Sequence, residues 1–272
     1  MNQHSRYKSR PRHVIFAIAL ALMLPLVPMS AAASNASCEN QFVDGVAPVI
    51  TNHALNQHVF DLCYLAFATG YSGLTKTPLW SAEHLTRARI KAAISMHRSG
   101  EFHQDPNLSE TWASELSDYY HSGYDRGHMA PSGDMPDRAS QEQSFTLANM
   151  VPQSAENNRH IWAKIEHDTR GLALKYGDVY VVTGPLFTQS VQLLKDRVAV
   201  PAAVFKAIYV PSLGVASAYI AFNDDSDRWM RVSVDDLQAK TGVRVFPNLP
   251  GGISSTSAHL FRWDAAHAGI LK

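Results

Sequence analysis

The stretch from Tyr124 to Arg170 constrains this chain more than any other. It opens YDRGHMAPSGDMPD and closes NMVPQSAENNRHIWAKIEHDTR, setting a histidine, asparagines, a carboxylate and arginines among turn formers. A hydrophobic core has no use for that set, so the fold has to be one that displays it.

His128 follows Gly127 and precedes Met129 and the turn signal Pro131-Ser132-Gly133-Asp134. Glycine permits close backbone approach to a ligand, or a positive φ, so the histidine is expected to be presented rather than buried. Its ordinary pKa of ~6.5 suits proton abstraction near neutral pH. A structural histidine satisfied within the fold is the competing reading.

Residues 154–176 read as one helix, with Ile161, Ile165 and Leu172 on one face, Pro152 upstream and Gly177 downstream. Asn158, Trp162, Glu166 and Arg170 follow at i,i+4 steps and form a second stripe. Taken alone, Glu166 and Arg170 fit a solvated surface ion pair, and Trp162 fits packing. Asparagine and glutamate offer hard oxygen ligands, which suit magnesium, manganese or calcium better than zinc. The combined set describes phosphodiester hydrolysis: His128 deprotonates a water, a hard cation neutralises the phosphate, and Arg126 and Arg170 grip its oxygens.

The motif Asp125-Arg126-Gly127-His128, then Asn149 with Pro152-Gln153, then Asn158, Trp162, Glu166 and Arg170, resembles the DNA/RNA non-specific endonuclease family of the ββα-metal (His-Me finger) superfamily. The likeness runs from about Cys63 to Phe246. It implies an α+β fold, a ββα-metal core on a largely antiparallel central sheet flanked by helices. It also implies His128 as general base and Asn158 as direct ligand of Mg2+, with Mn2+ as a possible substitute. Glu166 would act on the metal through water, Arg170 would stabilise the transition state, and Asn149 would support the site. Arg98, ahead of Glu101-Phe102 and Asp105-Pro106, matches the family's upstream arginine. DNA and RNA are the implied partners, cut to 5′-phosphate ends.

Residues 1–33 carry Arg6, Lys8, Arg10 and Arg12, an apolar run from Val14 to Met29, and small residues after it. That order reads as a secretory signal peptide, the run being short and proline-broken for a membrane span. The expectation is a secreted or periplasmic protein with one domain over residues 34–272. No later apolar run is long enough to insert in a bilayer. The 272-residue chain has 24 basic and 24 acidic residues. Loss of the four N-terminal charges leaves an acidic remainder, so a nucleic-acid enzyme built on it has to gather its cations on one face.

Cys38 and Cys63 are the two cysteines, and in an exported chain an even pair reads as a disulfide. Closing its loop contributes roughly 3–4 kcal/mol in the chain-entropy treatment. Two isolated cysteines and the lack of H-E-x-x-H argue against zinc.

CYLAFATGY reads as one strand ending in a glycine turn, Gly70-Tyr71-Ser72-Gly73 as that turn, and Ser81 to His97 as a helix. DVYVVTGPLF, VFKAIYVP and VASAYIAFND read as antiparallel strands. Val234 to Thr241 reads as a helix capped by Ser233 and ended by Gly242. Pro247 to Ser257 reads as a loop, the tail carries no pattern, and His259 and His267 read as surface residues. A catalytically silent nucleic-acid-binding protein and a phosphodiesterase of small substrates are the competing functions. Oligomeric state and an inhibitor protein have no signal in the sequence.

Overall fold

The computed structural model describes Met1 and residues 38–264, and residues 38–264 belong to the compact unit Ala36–Lys272. The N-terminal segment read as a signal peptide, apart from Met1, and His267 lie outside the described residues. The sheet and hairpin strands in chain order are β1 (Val59–Cys63), β2 (Ala68–Ser72), β3 (Thr77–Leu85), β4 (Asp125–His128), β5 (Met150–Gln153), β6 (Val179–Leu186), β7 (Ala203–Val210), β8 (Val215–Phe222) and β9 (Trp229–Val232). The main helices are α1 (Arg87–Ile94), α2 (Ala163–Tyr176) and α3 (Val234–Thr241).

Seven strands form one antiparallel sheet in the order β9-β8-β7-β6-β3-β2-β1. Strands β3 and β6 are neighbours, with Ser81 opposite Thr183, although residues 86–178 separate them. That excursion carries α1, the β4–β5 hairpin and α2, and therefore the whole candidate site. The three C-terminal apolar runs form β6, β7 and β8 as their β-branched composition predicts.

Alternation along β7 and β8 divides the core. Ala203, Phe205 and Ala207 face the layer that holds Val234 and Leu237 of α3. Val204, Ile208 and Val210 face Ile90 of α1 and Ile165, Leu172 and Ala173 of α2. By the same two-residue period, Lys206, Thr183, Ser81 and Glu83 share the α1–α2 face, and all four are buried.

The helix α3 has the expected ends: Ser233 accepts from the Asp236 N–H, and Gly242 takes φ 69°. Three local readings are corrected. CYLAFATGY is a hairpin, β1 and β2 joined at Tyr64–Phe67, and Gly70 lies inside β2 because a Cβ there would collide with the Trp80 indole. Ser81 belongs to β3, and the helix begins only after Thr86, whose side chain accepts from the Arg89 N–H. The 247–257 loop contains a short helix, Gly251–Ser254. The described part of the tail packs on the sheet: Phe261 stacks on Tyr219 with centroids 4.5 Å apart, and buried Asp264 accepts from the Tyr219 hydroxyl and the Leu260 N–H. His259 is exposed, as read, and hydrogen-bonds Asp264.

Cys38 and Cys63 form the expected disulfide, their Cα atoms 5.7 Å apart. No helix among the described residues is long and apolar enough to cross a membrane.

Candidate active site

Strands β4 and β5 pair antiparallel with Asp125 opposite Gln153 and His128 opposite Met150. The 129–149 excursion between them is closed at its base by Asn149, whose backbone carbonyl accepts from the Met129 N–H at 3.0 Å. The Asn149 side chain accepts from the Ala130 N–H (2.9 Å) and the Ser81 hydroxyl (3.0 Å) and donates to the carbonyls of Ala130 (2.8 Å) and Ser144 (3.0 Å). It is fully buried and its hydrogen-bonding capacity is spent on the scaffold. The Asn149 side chain is thus committed to the scaffold around the hairpin.

His128 differs from expectation. It is only 9% exposed, set between Phe145, edge-on at 5.1 Å, and Phe102 at 5.7 Å between centroids. Gly127 does not open the backbone to a ligand; a Cβ there would strike Gln153, so the missing side chain makes room for packing. Burial, with the Arg98 charge adding to it, lowers the His128 pKa to about 3. The imidazole is therefore neutral at pH 7, and the same burial that keeps it neutral weakens it as a base. Nε2 is sealed without a hydrogen-bond partner, whereas Nδ1 is not among the sealed atoms.

The helix after β5 begins Ala155–Asn157, passes through a π turn, Asn158–Trp162, and continues as α2. An i→i+5 turn moves Asn158 off the line that α-helical spacing draws through Trp162, Glu166 and Arg170. Asn158 turns to the hairpin instead: its amide nitrogen donates to Asp125 Oδ2 at 2.9 Å. Arg159 grips the same carboxylate through two nitrogens, at 2.9 and 2.7 Å. Although burial opposes its charge, the hydrogen bonds from Arg159 and Asn158 and the Arg159 and Arg126 charges hold the Asp125 carboxyl below its ordinary range. Asp125 is a site residue that sequence reasoning left without a role; its place at the head of the DRGH motif was the signal. With the amide nitrogen committed, the Asn158 oxygen is the atom left to meet a cation.

Trp162 is fully buried and packs, as read. The surface ion pair between Glu166 and Arg170 does not form. Arg170 Nη1 donates to buried Asp134 Oδ1 at 2.9 Å, and Glu166 makes no ion pair among the described residues. Burial pushes the Glu166 carboxyl up to about 7, against the Lys206, Arg170 and Arg98 charges and reinforced by Asp134. Arg126 lies over the Phe102 ring at 4.3 Å and Arg98, exposed, over Phe145 at 5.3 Å. Both cations therefore line the aromatic collar of His128.

Below these groups is a charged layer that sequence reasoning missed. Arg89 donates to Glu83 Oε1, to the carbonyls of Asp134, Ala66 and His84, and to Met135 Sδ. Lys206 donates to Thr183 Oγ1 at 2.7 Å and sits 5.3 Å from the Trp162 ring. Burial raises the Glu83 carboxyl, with the Asp134 charge adding to it. The signal was a lysine in the middle of VFKAIYVP and a buried glutamate in the strand TPLWSAEHL.

Among the described residues no three His, Cys, Asp or Glu side chains converge on a metal position. The donors that remain, the Asn158 oxygen and Glu166, are hard oxygens few in number, which fits a cation that keeps most of its water and takes another ligand from substrate phosphate.

Known proteins resemble this chain. The family model described as DNA/RNA non-specific endonuclease matches residues 47–251. Nuclease C1 of Cunninghamella echinulata var. echinulata is 35% identical over 68% of this chain and 81% of its own length. The mitochondrial nuclease EXOG of Danio rerio is 35% identical over 68% of this chain, which spans 60% of that protein. A solved structure of the EndoG/EndoGI complex aligns with TM-score 0.65 and 27% identity, covering 73% of this chain and 89% of that one. Its likeness agrees with the expected ββα-metal class. The secreted or periplasmic placement is corrected by these comparisons, because several matched relatives, the Danio rerio protein among them, are mitochondrial. The family and its fold imply a nuclease with nucleic-acid substrates and a divalent metal ion. With the hairpin, the helix and the matched span in agreement, this chain belongs to the DNA/RNA non-specific endonuclease family.

Proposed function

We propose that the protein is a magnesium-dependent endonuclease that hydrolyses phosphodiester bonds of DNA and RNA with little sequence preference and leaves 5′-phosphate ends. The supporting observation is the joint held by Asp125, which ties Asn158 on the helix to the strand that carries His128. In this reading neutral His128 takes a proton from water as the water oxygen attacks phosphorus, the bond to the 3′ oxygen breaks, and that oxygen leaves as a 3′-hydroxyl after taking a proton from solvent water. Asn158 would hold the metal directly and Glu166 through water, with Mn2+ able to take the place of Mg2+. Once bound, the ion supplies charge neutralisation at the phosphate and the leaving oxygen. Arg170, Arg126 and Arg98 bind phosphate oxygens, and Asn149 holds the hairpin. Contacts of this kind read phosphate and sugar and carry no direct base information.

The test is purified protein with supercoiled plasmid and with total RNA, each with magnesium, without it, and with chelator. Magnesium-dependent loss of both substrates is expected. Retention of nucleic acid without cleavage would identify a silent binding protein, and turnover of small phosphodiesters without plasmid nicking would identify a small-substrate phosphodiesterase.

A further inference from the structure

Asp134 lies in the tight turn Ser132–Asp134 and is 2% exposed. That turn is fastened without its carboxylate. Arg89 Nε donates to the Asp134 backbone carbonyl at 2.7 Å, Gln141 donates to the Ser132 carbonyl at 3.3 Å, and the Asp134 N–H bonds the Pro131 carbonyl at 3.0 Å. A buried carboxylate is costly unless a partner compensates it, and its ion-pair partner here is Arg170 Nη1 at 2.9 Å. The flank of the same guanidinium rests on the turn, where a Cβ on Gly133 would come within 3.3 Å of Nη1. The Arg170 side chain, although tied inward to Asp134, remains 20% exposed. Arg170 also stands one helical turn from Glu166, where an i,i+4 pair would ordinarily form; its bond to Asp134 takes it elsewhere.

We propose that Asp134 is a positioning residue that aims Arg170 at the scissile phosphate and keeps it from closing on Glu166. The proposal rests on the role given to Arg170 above. Guanidinium geometry, not charge alone, sets a bidentate grip, so an arginine freed from its buried anchor keeps its charge and loses its aim. Removing the outer-shell partner of a metal ligand typically costs 10- to 100-fold, and a loss of the same order is expected for a phosphate-binding arginine that loses its anchor.

The experiment measures single-turnover cleavage of a defined duplex at saturating Mg2+, together with duplex Kd, for the wild type, Asp134→Asn, Arg170→Ala and the double variant. Circular dichroism and thermal melts establish that each is folded. Asp134→Asn is expected to slow the chemical step roughly 10- to 100-fold with Kd changed less than about 3-fold, and the double variant to match Arg170→Ala alone. A purely structural Asp134 would instead multiply its effect onto Arg170→Ala, which overturns the assignment. A slow Arg170→Ala beside a wild-type Asp134→Asn overturns the assignment alone, whereas a wild-type Arg170→Ala overturns the role of Arg170 itself and Asp134 with it. If the amide variant does not fold, Asp134→Ser, with room for a water beside the guanidinium, supplies the same comparison.

Discussion

Replacement of Asn149 by alanine separates holding the site from performing chemistry. The side chain satisfies four groups: the Ala130 N–H, the Ala130 and Ser144 carbonyls, and the Ser81 hydroxyl. Ser81 keeps a partner in Thr69 at 2.9 Å, so alanine orphans three buried backbone groups. Each costs about 1–3 kcal/mol when left unpaired. Partial relaxation and water entry reduce the sum to roughly 3–5 kcal/mol. For a domain of this size that is a fall of roughly 6–20 °C in melting temperature. The assay is a thermal melt beside a plasmid-nicking rate. The expected result is a large fall in both, since the 129–149 excursion loses the clasp that fixes it to β4. A variant that melts within 2 °C of wild type yet has lost its activity would refute the reasoning, because it would mean that Asn149 meets the substrate.

The other predictions concern the proposed chemistry and its linkage to stability. His128→Ala should lower turnover by roughly 10²- to 10⁴-fold with little change in nucleic-acid affinity, and wild-type turnover in a folded variant would remove His128 from the mechanism. Chelator should abolish cleavage and shift the melt by little, since a weakly held cation near its Kd contributes only ~0.4 kcal/mol; a shift of many degrees would make the metal structural. Reduction of Cys38–Cys63 should lower the melting temperature by the equivalent of roughly 3–4 kcal/mol while each molecule still folded cleaves, and an unchanged melt would show that the bond adds nothing. The Glu166 carboxyl, raised from 4.5 to about 7, binds its proton more tightly in the folded state, so its stabilisation is present below 4.5 and lost as pH rises to about 7. Glu166→Gln should therefore gain melting temperature over wild type on going from pH 5 to pH 8 while slowing cleavage, and a constant difference would contradict the shift.

Much of the scaffold is legible because its residues obey their local rules. The apolar β-branched runs of β6, β7 and β8 and the Ser233 and Gly242 ends of α3 needed no tertiary information. The misreadings cluster where the site overrides those rules. Ser81 and Glu83 break the apolar pattern of β3 because that face supports the hairpin and the charged layer, and a broken strand pattern resembles a helix. Glycine before His128 suggests access to a ligand, yet Gln153, on the paired strand, occupies the space. The i,i+4 stripe was drawn for an α-helix, and the π turn at Asn158–Trp162 displaces the residue nominated as metal ligand. Sequence spacing finds the residues; the partner that each one selects depends on elements brought together from 80, 130 and 200.

The charged layer explains why a fold would tolerate that conflict. Glu83, Asp134 and Glu166 lie with Arg89, Arg170 and Lys206 between the sheet and α2, three acids against three bases. Apolar residues of similar volume would often be at least as stable there, so stability alone gives no reason for the layer. Its members differ in how tightly they are bound. Arg89 has Glu83 and backbone carbonyls, and Arg170 has Asp134, whereas Lys206 bonds a neutral hydroxyl and faces an aromatic ring. Glu166 thus sits in a positive field from Lys206 and Arg170 without being clasped by either. In the proposed role, a carboxylate holding waters around a cation would need that combination, since a close ion pair would occupy the oxygens it would offer. Placing the compensating charge on the sheet, with Lys206 against Trp162, would supply that field and leave the Glu166 oxygens free for the proposed role.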